Sequence, residues 1–284
     1  RKLLEILNAL SSHDEVTFTV SESKVDITAG KSKISLPTLP TSDFPYMDIG
    51  ETGDLTEIAS EDVTNIINKT SFAMAYQDAR HFLNGLFIEF SQDTITAVAT
   101  DGHRLALSAK RCDLVNSEKT CIVPRKCINE LKRILSSFND ISEILTEVSV
   151  NSKNILFNIH NYKLISKLVE GNYPDYNKVF PKSLPNNLKV DRMLLKSALQ
   201  RLSILSSEQF KGVKFKLTHS LLDLSTINSQ QESGDESIEC EYGGDDLEIG
   251  FNLSYLLETL DVIKTQYVAI HLGTSDSGCL ITAD

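Results

Sequence analysis

Apolar residues recur every three to four positions in five stretches of the chain, 1–12, 60–75, 124–137, 191–205 and 252–264, the spacing of a helix that buries one face. The stretch 124–137 is the clearest. At 100° per residue, Cys127, Ile128, Leu131, Ile134 and Leu135 fall in one arc of about 120°, and Arg125, Lys126, Asn129, Lys132 and Arg133 fall in the opposite one. Pro124 suits the first helical position, where a missing N–H costs nothing. In 191–205, Arg192, Lys196, Gln200 and Ser203 share a polar face opposite Leu194, Leu195, Ala198 and Leu202. Between the helices the pattern switches to period two. Residues 94–100 and 103–109 flank Asp101-Gly102, a pair that predicts a two-residue hairpin, and 144–150, 155–160 and 164–168 read as strands separated by Asn-Ser and Asn-Tyr turns. A helix followed by several strands occurs in 57–118 and again in 119–185. The expected class is α+β, with antiparallel sheets and the helices collected on one side.

The chain also resembles itself at long range. Phe82-Leu-Asn-Gly85 returns as Phe210-Lys-Gly212 at offsets of 128 and 127, Phe44-Pro45-Tyr46 returns as Tyr173-Pro174-Asp175-Tyr176 at 129, and the run from Ile122 is echoed 127 residues later from Ile249. Arg125-Lys126 is anticipated by Arg1-Lys2. A period this long indicates duplicated domains, since solenoid units run roughly 20 to 50 residues. The expected boundaries are 1–56, the second half of a first domain; 57–185, complete; and 186–284, short of its last strand or tail.

Composition narrows the function. With 41% hydrophobic and 24% charged residues over 284 positions, the chain is globular, and no apolar run approaches a membrane span. Five cysteines without a C-x-x-C pair indicate neither a disulfide framework nor a zinc cluster, and no cofactor or metal site is expected. A reducing, cytoplasmic setting fits. The net charge of −11 is unevenly spread: the five helical stretches carry +1, −1, +3, +2 and −1, leaving −15 elsewhere. Such a molecule can approach a polyanion from its helical side only, although a helix's solvated face is often rich in Lys and Arg without any ligand. Asp101, His103, His160 and Cys112 supply catalytic residue types, but no G-x-S-x-G, H-E-x-x-H or P-loop motif accompanies them. A hydrolase and a protein-only scaffold that never meets a polyanion are the rival readings.

Four motifs in chain order resemble one family: Thr100-Asp-Gly-His-Arg-Leu-Ala106, Ile122-Val-Pro-Arg-Lys126, Ser166-Lys-Leu-Val-Glu-Gly-Asn-Tyr-Pro-Asp-Tyr176 and Glu248-Ile-Gly-Phe-Asn-Leu-Ser-Tyr255. They are similar to the bacterial sliding clamp, the β subunit of DNA polymerase III. The resemblance covers essentially the whole chain and implies three similar domains per chain, with paired helices on the inner face and sheets outside. It also implies a head-to-tail homodimer ring around duplex DNA, and a non-catalytic processivity factor that tethers polymerase, clamp loader and repair proteins through short peptide motifs.

Residue roles follow by position. The resemblance places Leu83, Thr100, Gly102, His103, Arg104, Leu105, Pro174, Lys178, Val179, Phe210, Asn252 and Tyr255 in a partner-peptide pocket. Leu83, Leu105, Val179 and Phe210 would take hydrophobic anchors, and His103 and Arg104 would form a polar rim. Lys178 stands where an arginine is common, and the family's C-terminal pocket tail is absent. Gln77, Arg80, His81 and Phe82 match a loop that projects towards DNA, although Asp78 and Arg80 could simply neutralise each other. Arg125, Lys126, Lys132, Arg133, Arg192 and Lys196 are DNA-facing candidates by helix face. For ring closure, Lys31, Lys33 and Ile34 resemble one half of the dimer interface. Ile204 and Leu205, with Glu232, Asp235, Glu236 and Glu239, resemble the other.

Overall fold

The computed structural model describes residues 2–10, 15–44, 55–91, 93–112, 118–181, 183–206 and 211–284. The chain divides into two compact units, 1–50 and 51–284. In the first, α1 (Lys2–Ala9) precedes an antiparallel sheet in the order β1 (Val16–Val20), β2 (Lys24–Ala29), β3 (Ser32–Pro37). Val25, Ile27 and Ala29 alternate with polar residues along β2, and Ile27 and Ala29 are buried, as the period-two rule requires. Gly30, at φ 54°, opens the tight turn between β2 and β3.

The second unit holds two copies of one design. In the central copy, β4 (Leu55–Ala59), α2 (Ser60–Thr70), β5 (Gly85–Phe90), β6 (Thr94–Thr100) and β7 (Leu105–Arg111) form one half. Next come β8 (Lys119–Pro124), α3 (Arg125–Leu135), β9 (Leu145–Val150), β10 (Asn154–Ile159) and β11 (Tyr162–Lys167). Each half lends its first strand to the other's meander, giving sheets ordered β7-β6-β5-β8 and β11-β10-β9-β4. The C-terminal copy repeats this with β12 (Asn186–Asp191), α4 (Arg192–Ser203), β13 (Gly212–Thr218), β14 (Leu221–Ile227) and β15 (Ser233–Glu239). Its second half is β16 (Leu247–Asn252), α5 (Leu253–Val262), β17 (Tyr267–Leu272) and β18 (Leu280–Ala283). Its sheets run β15-β14-β13-β16 and β12-β17-β18. Because the halves exchange strands, neither can bury its apolar surface alone, and each copy has one core. The central core includes Leu86, Ile128, Leu131 and Ile155, and the C-terminal one Leu188, Leu195, Leu199 and Phe215. Among the described residues no sheet crosses from one copy to the other.

Several local expectations need correction. Pro124 ends β8 and caps α3 with extended geometry (φ −57°, ψ 143°), because its pairing with Gly85 holds it in the sheet; Arg125 is the first helical residue. The regular helix α2 stops at Thr70 and continues only as a single 3₁₀ turn, Ser71–Ala73. In α4 the buried positions are Leu195, Ala198, Leu199 and Leu202, the i, i+3, i+4, i+7 set. Leu194 falls outside that arc and is exposed, as is Met193. The hairpin after β6 has four loop residues rather than two, since Thr100 pairs with Leu105. Finally, Phe87 faces Ile122 while Lys214 faces Gly250, so in this strand the repeat runs one residue longer than the echo at Ile249 suggested. Pro45 and Tyr46 lie outside the described residues.

Candidate functional site

The loop between β6 and β7 is built by its own side chains. Asp101 Oδ1 accepts the N–H of His103 (2.9 Å) and of Arg104 (3.1 Å), a side-chain turn that explains why four residues, not two, close the hairpin. The Thr100 hydroxyl accepts the Gly102 N–H (3.1 Å) and donates to the Arg104 carbonyl (2.6 Å). Gly102 sits at φ 91°, which a side chain would strain. Beneath the loop, Arg80 forms a two-pronged pair with Asp78 and donates to the Asp101 carbonyl (3.3 Å). The Arg80 hydrogen bonds hold the Asp78 carboxyl at about 2, well below the ordinary carboxylate.

From this loop Arg104 reaches across to the C-terminal copy. Its Nε donates to Asp101 Oδ2 (3.2 Å), and its Nη2 to the Phe72 carbonyl (3.1 Å) and to Glu258 Oε2 on α5 (2.7 Å). The guanidinium lies 5.2 Å from the Phe72 ring centroid and 4.4 Å from that of Tyr255. His103 also faces Tyr255, at 6.4 Å between ring centroids. Burial pushes the Tyr255 phenol up. Asn252, one turn before, caps α5 by accepting the N–H groups of Ser254 and Tyr255.

The chain leaving β11 runs over the sheet β7-β6-β5-β8. Val169 N–H donates to the Ile122 carbonyl (2.9 Å), and the Tyr173 ring stacks on Phe87 at 4.8 Å. The Tyr176 hydroxyl donates to Glu89 Oε2 (2.8 Å). Pro174 and Lys178 are exposed, Val179 is 60% exposed, and Lys178 pairs with Asp175 at 3.2 Å. Leu105 is half-buried, whereas Leu83 is only 2% exposed. The structure thus brings Thr100, Gly102, His103 and Arg104 together with Tyr255; Phe210 lies outside the described residues. On the matching sheet of the C-terminal copy there is instead an open trough of about 1120 Å³, lined among others by Lys211, Lys214, Ser225, Asp235, Glu248 and Asn252.

The cations expected on the helical side divide into two sets. Arg125 donates to the carbonyls of Met74 and Ala75, and Arg192 to those of Leu260 and Thr265 (3.3 and 2.9 Å). Each is the first residue of its helix; Leu260 lies in the last turn of α5, where a helix leaves carbonyls unpaired, whereas Thr265, Met74 and Ala75 lie in the chain that follows α5 and the 3₁₀ turn after α2. Lys132 donates to the Ser71 hydroxyl, Lys196 pairs with Asp261, and Arg133 pairs with Glu130. Lys126, Gln77 and His81 are exposed. Phe82 is half-buried, next to the position of Gly171. Sequence reasoning missed Tyr76, which is exposed with its ring 5.8 Å from the Arg125 guanidinium. It also missed Glu258 and Phe72. An exposed aromatic next to the Gln77 loop was a visible signal for Tyr76; nothing local marks the other two.

Each half of the expected ring contact falls on an edge strand. Lys33 and Ile34 lie on β3, with Lys31 in the turn before it, and Asp235, Glu236 and Glu239 lie on β15, which Glu232 precedes. Ile204 is 81% exposed at the end of α4 and Leu205 is half-buried, while Glu236 is held by Arg201 (2.6 and 2.7 Å).

Comparison with known proteins gives a consistent result. Three family models match in chain order: the N-terminal domain of the DNA polymerase III beta subunit over residues 1–48, its central domain over 57–175 and its C-terminal domain over 177–284. The beta sliding clamp of Pseudomonas putida is 38% identical over 283 residues, covering 99% of this chain and 76% of the relative. That of Escherichia coli K12 is 34% identical over 281 residues, with the same coverage. Among solved structures, the sliding clamp of Pseudomonas aeruginosa bound to griselimycin superposes with a TM-score of 0.93 at 37% identity, covering 100% of this chain and 76% of that one. The clamp of Bartonella birtlesii bound to griselimycin gives 0.93 at 29%, with the same coverage.

Proposed function

Because the chain belongs to the DNA polymerase III β subunit family, the sliding clamps, we propose that it confers processivity on a replicative polymerase by surrounding duplex DNA and tethering partner proteins through short peptides. The observation that carries this reading is the ordered match of all three clamp domains along one chain. It is a clamp and not an enzyme, as its relatives are named. Enclosure replaces affinity: DNA contacts can stay weak and sequence-blind when the protein cannot leave sideways.

The proposed partner surface is the loop 100–105 with Tyr255 and the exposed Pro174 to Val179 segment. Leu83 and Phe210 would serve as apolar positions once the site is occupied. Gln77, Arg80, His81, Phe82 and the helix cations Arg125, Lys126, Lys132, Arg133, Arg192 and Lys196 are proposed to face DNA. Of these, Lys126 is the better phosphate contact, because it is exposed, whereas the Arg125 and Arg192 guanidinium groups already satisfy carbonyls and the half-buried Lys132 donates to Ser71. The β3 edge with Lys31, Lys33 and Ile34 is proposed to meet β15, Ile204 and Leu205 of a second copy. That contact would join a basic strand to an acidic one. No helix among the described residues is long and apolar enough to cross a membrane, and the proposed location is the cytoplasm. A titration with a Gln-Leu-Ser-Leu-Phe pentapeptide tests the partner surface: resonances of His103, Val179 and Tyr255 should shift together. Unmoved signals at all three would remove the assignment.

A further inference from the structure

The contacts of Arg104 have a direction that a rim residue would not need. Its side chain is 16% exposed, and its donors point inwards, to Asp101, to the Phe72 carbonyl and across the copy boundary to Glu258. The cation lies over the ring of Phe72 in the central copy and over that of Tyr255 in the C-terminal copy, an arrangement suited to a planar guanidinium and not to an ammonium. The Nη1 atom is closed off from solvent with no acceptor among the described residues. Such a group is costly to bury, and its retention argues that position rather than solvation fixes this side chain. Among the described residues no strand pairing spans the two copies, so their relative angle depends on the linker and on contacts such as these.

We propose that Arg104 is a positioning residue that pins the β6–β7 loop to α5, so that the rim of the peptide surface and the joint between the copies move as one unit. The pin is a property of the chain alone. Its link to the peptide surface rests on the function proposed above: a ligand that orders the loop tightens the joint, and a loosened joint weakens the ligand by the same factor.

Amide hydrogen exchange on the whole chain, without DNA or peptide, separates the two ideas. Arg104→Ala should speed exchange at least about tenfold both in the loop 101–105 and in the first turns of α5, while β5 and α3 keep wild-type protection. Glu258→Ala, at a half-exposed position, should reproduce the α5 part, and Arg104→Lys should not restore it. The double variant should exchange no faster than Arg104→Ala alone, the signature of one shared interaction. Change confined to the loop, or wild-type behaviour of Arg104→Lys, overturns the proposal. If Arg104→Ala unfolds the central copy, Glu258→Ala decides: unaltered α5 exchange refutes the pin. A failed pentapeptide titration would remove the partner surface and leave this result standing.

Discussion

The two copies in residues 55–283 share a skeleton and differ on the face their skeleton exposes. The shared part is demanding chemistry: strand exchange between halves, a single core, and an arginine at the start of one helix that satisfies carbonyls at or just beyond the end of the other. The differing part is one sheet surface. In the central copy Phe87, Val98 and Ile122 occupy aligned positions on neighbouring strands, and Tyr173 of the linker stacks on Phe87 and bonds the Val98 carbonyl. In the C-terminal copy the aligned positions are Lys214, Ser225 and Gly250, and the face is an open trough of mixed polar and apolar lining. An apolar sheet face must be covered, and a polar one can stay wet. Duplication kept what folding requires and released the outer face to diverge.

The largest effect should come from breaking that difference. Phe87→Ala removes a half-buried ring and its stacking partner's support, so it should destabilise the central copy by about 2–4 kcal/mol and expose the 168–181 segment to proteolysis. Lys214→Ala, at the matching place, should leave the melting profile within about 0.5 kcal/mol. An equal loss at both positions would show that the trough is packed in solution.

Next in size are the helix-end arginines, where the copies should behave alike. Arg125→Ala and Arg192→Ala each strip two charge-assisted hydrogen bonds from carbonyls, and each should lower stability by about 2–3 kcal/mol in denaturant melts. If both variants melt as wild type and only DNA affinity falls, these arginines serve DNA and not the fold.

A smaller effect separates the loops by acid. The Asp78 carboxyl is held low by Arg80; its folded value lies below its unfolded value. The support it gives to the segment under loop 101–104 is therefore complete above about pH 4 and lost as pH falls towards about 2. Local exchange at 78–84 should rise in that window, and Asp78→Asn should abolish the dependence. Smallest of all is a difference in thiol labelling. Burial pushes Cys121 up to about 12 and Cys127 up to about 11, so both should resist alkylation at pH 8, where the partly exposed Cys112 reacts.

Much of this architecture was legible because periodicity reports burial. The apolar arc of α3 can be read position by position, and the self-similarity of the chain predicts three related domains. The misreadings share a cause. Leu194 reads as core because it is apolar, yet the turn of α4 carries it out of the arc. Pro124 reads as helical because it is proline, yet strand pairing holds it. Arg125 and Arg192 looked like part of a solvated stripe, since the carbonyls they satisfy come from distant chain. The family resemblance puts Arg104 at a rim, because nothing in the sequence shows Glu258 and Tyr255, which only tertiary structure brings to it.

As a member of the sliding-clamp family, the chain is expected to hold DNA by surrounding it. With clamp loader and ATP supplied, the protein should remain on closed circular duplex through a high-salt wash and be lost when a nuclease linearises the circle. Equal release from circular and linear DNA, or no retention on the circle at all, would contradict enclosure.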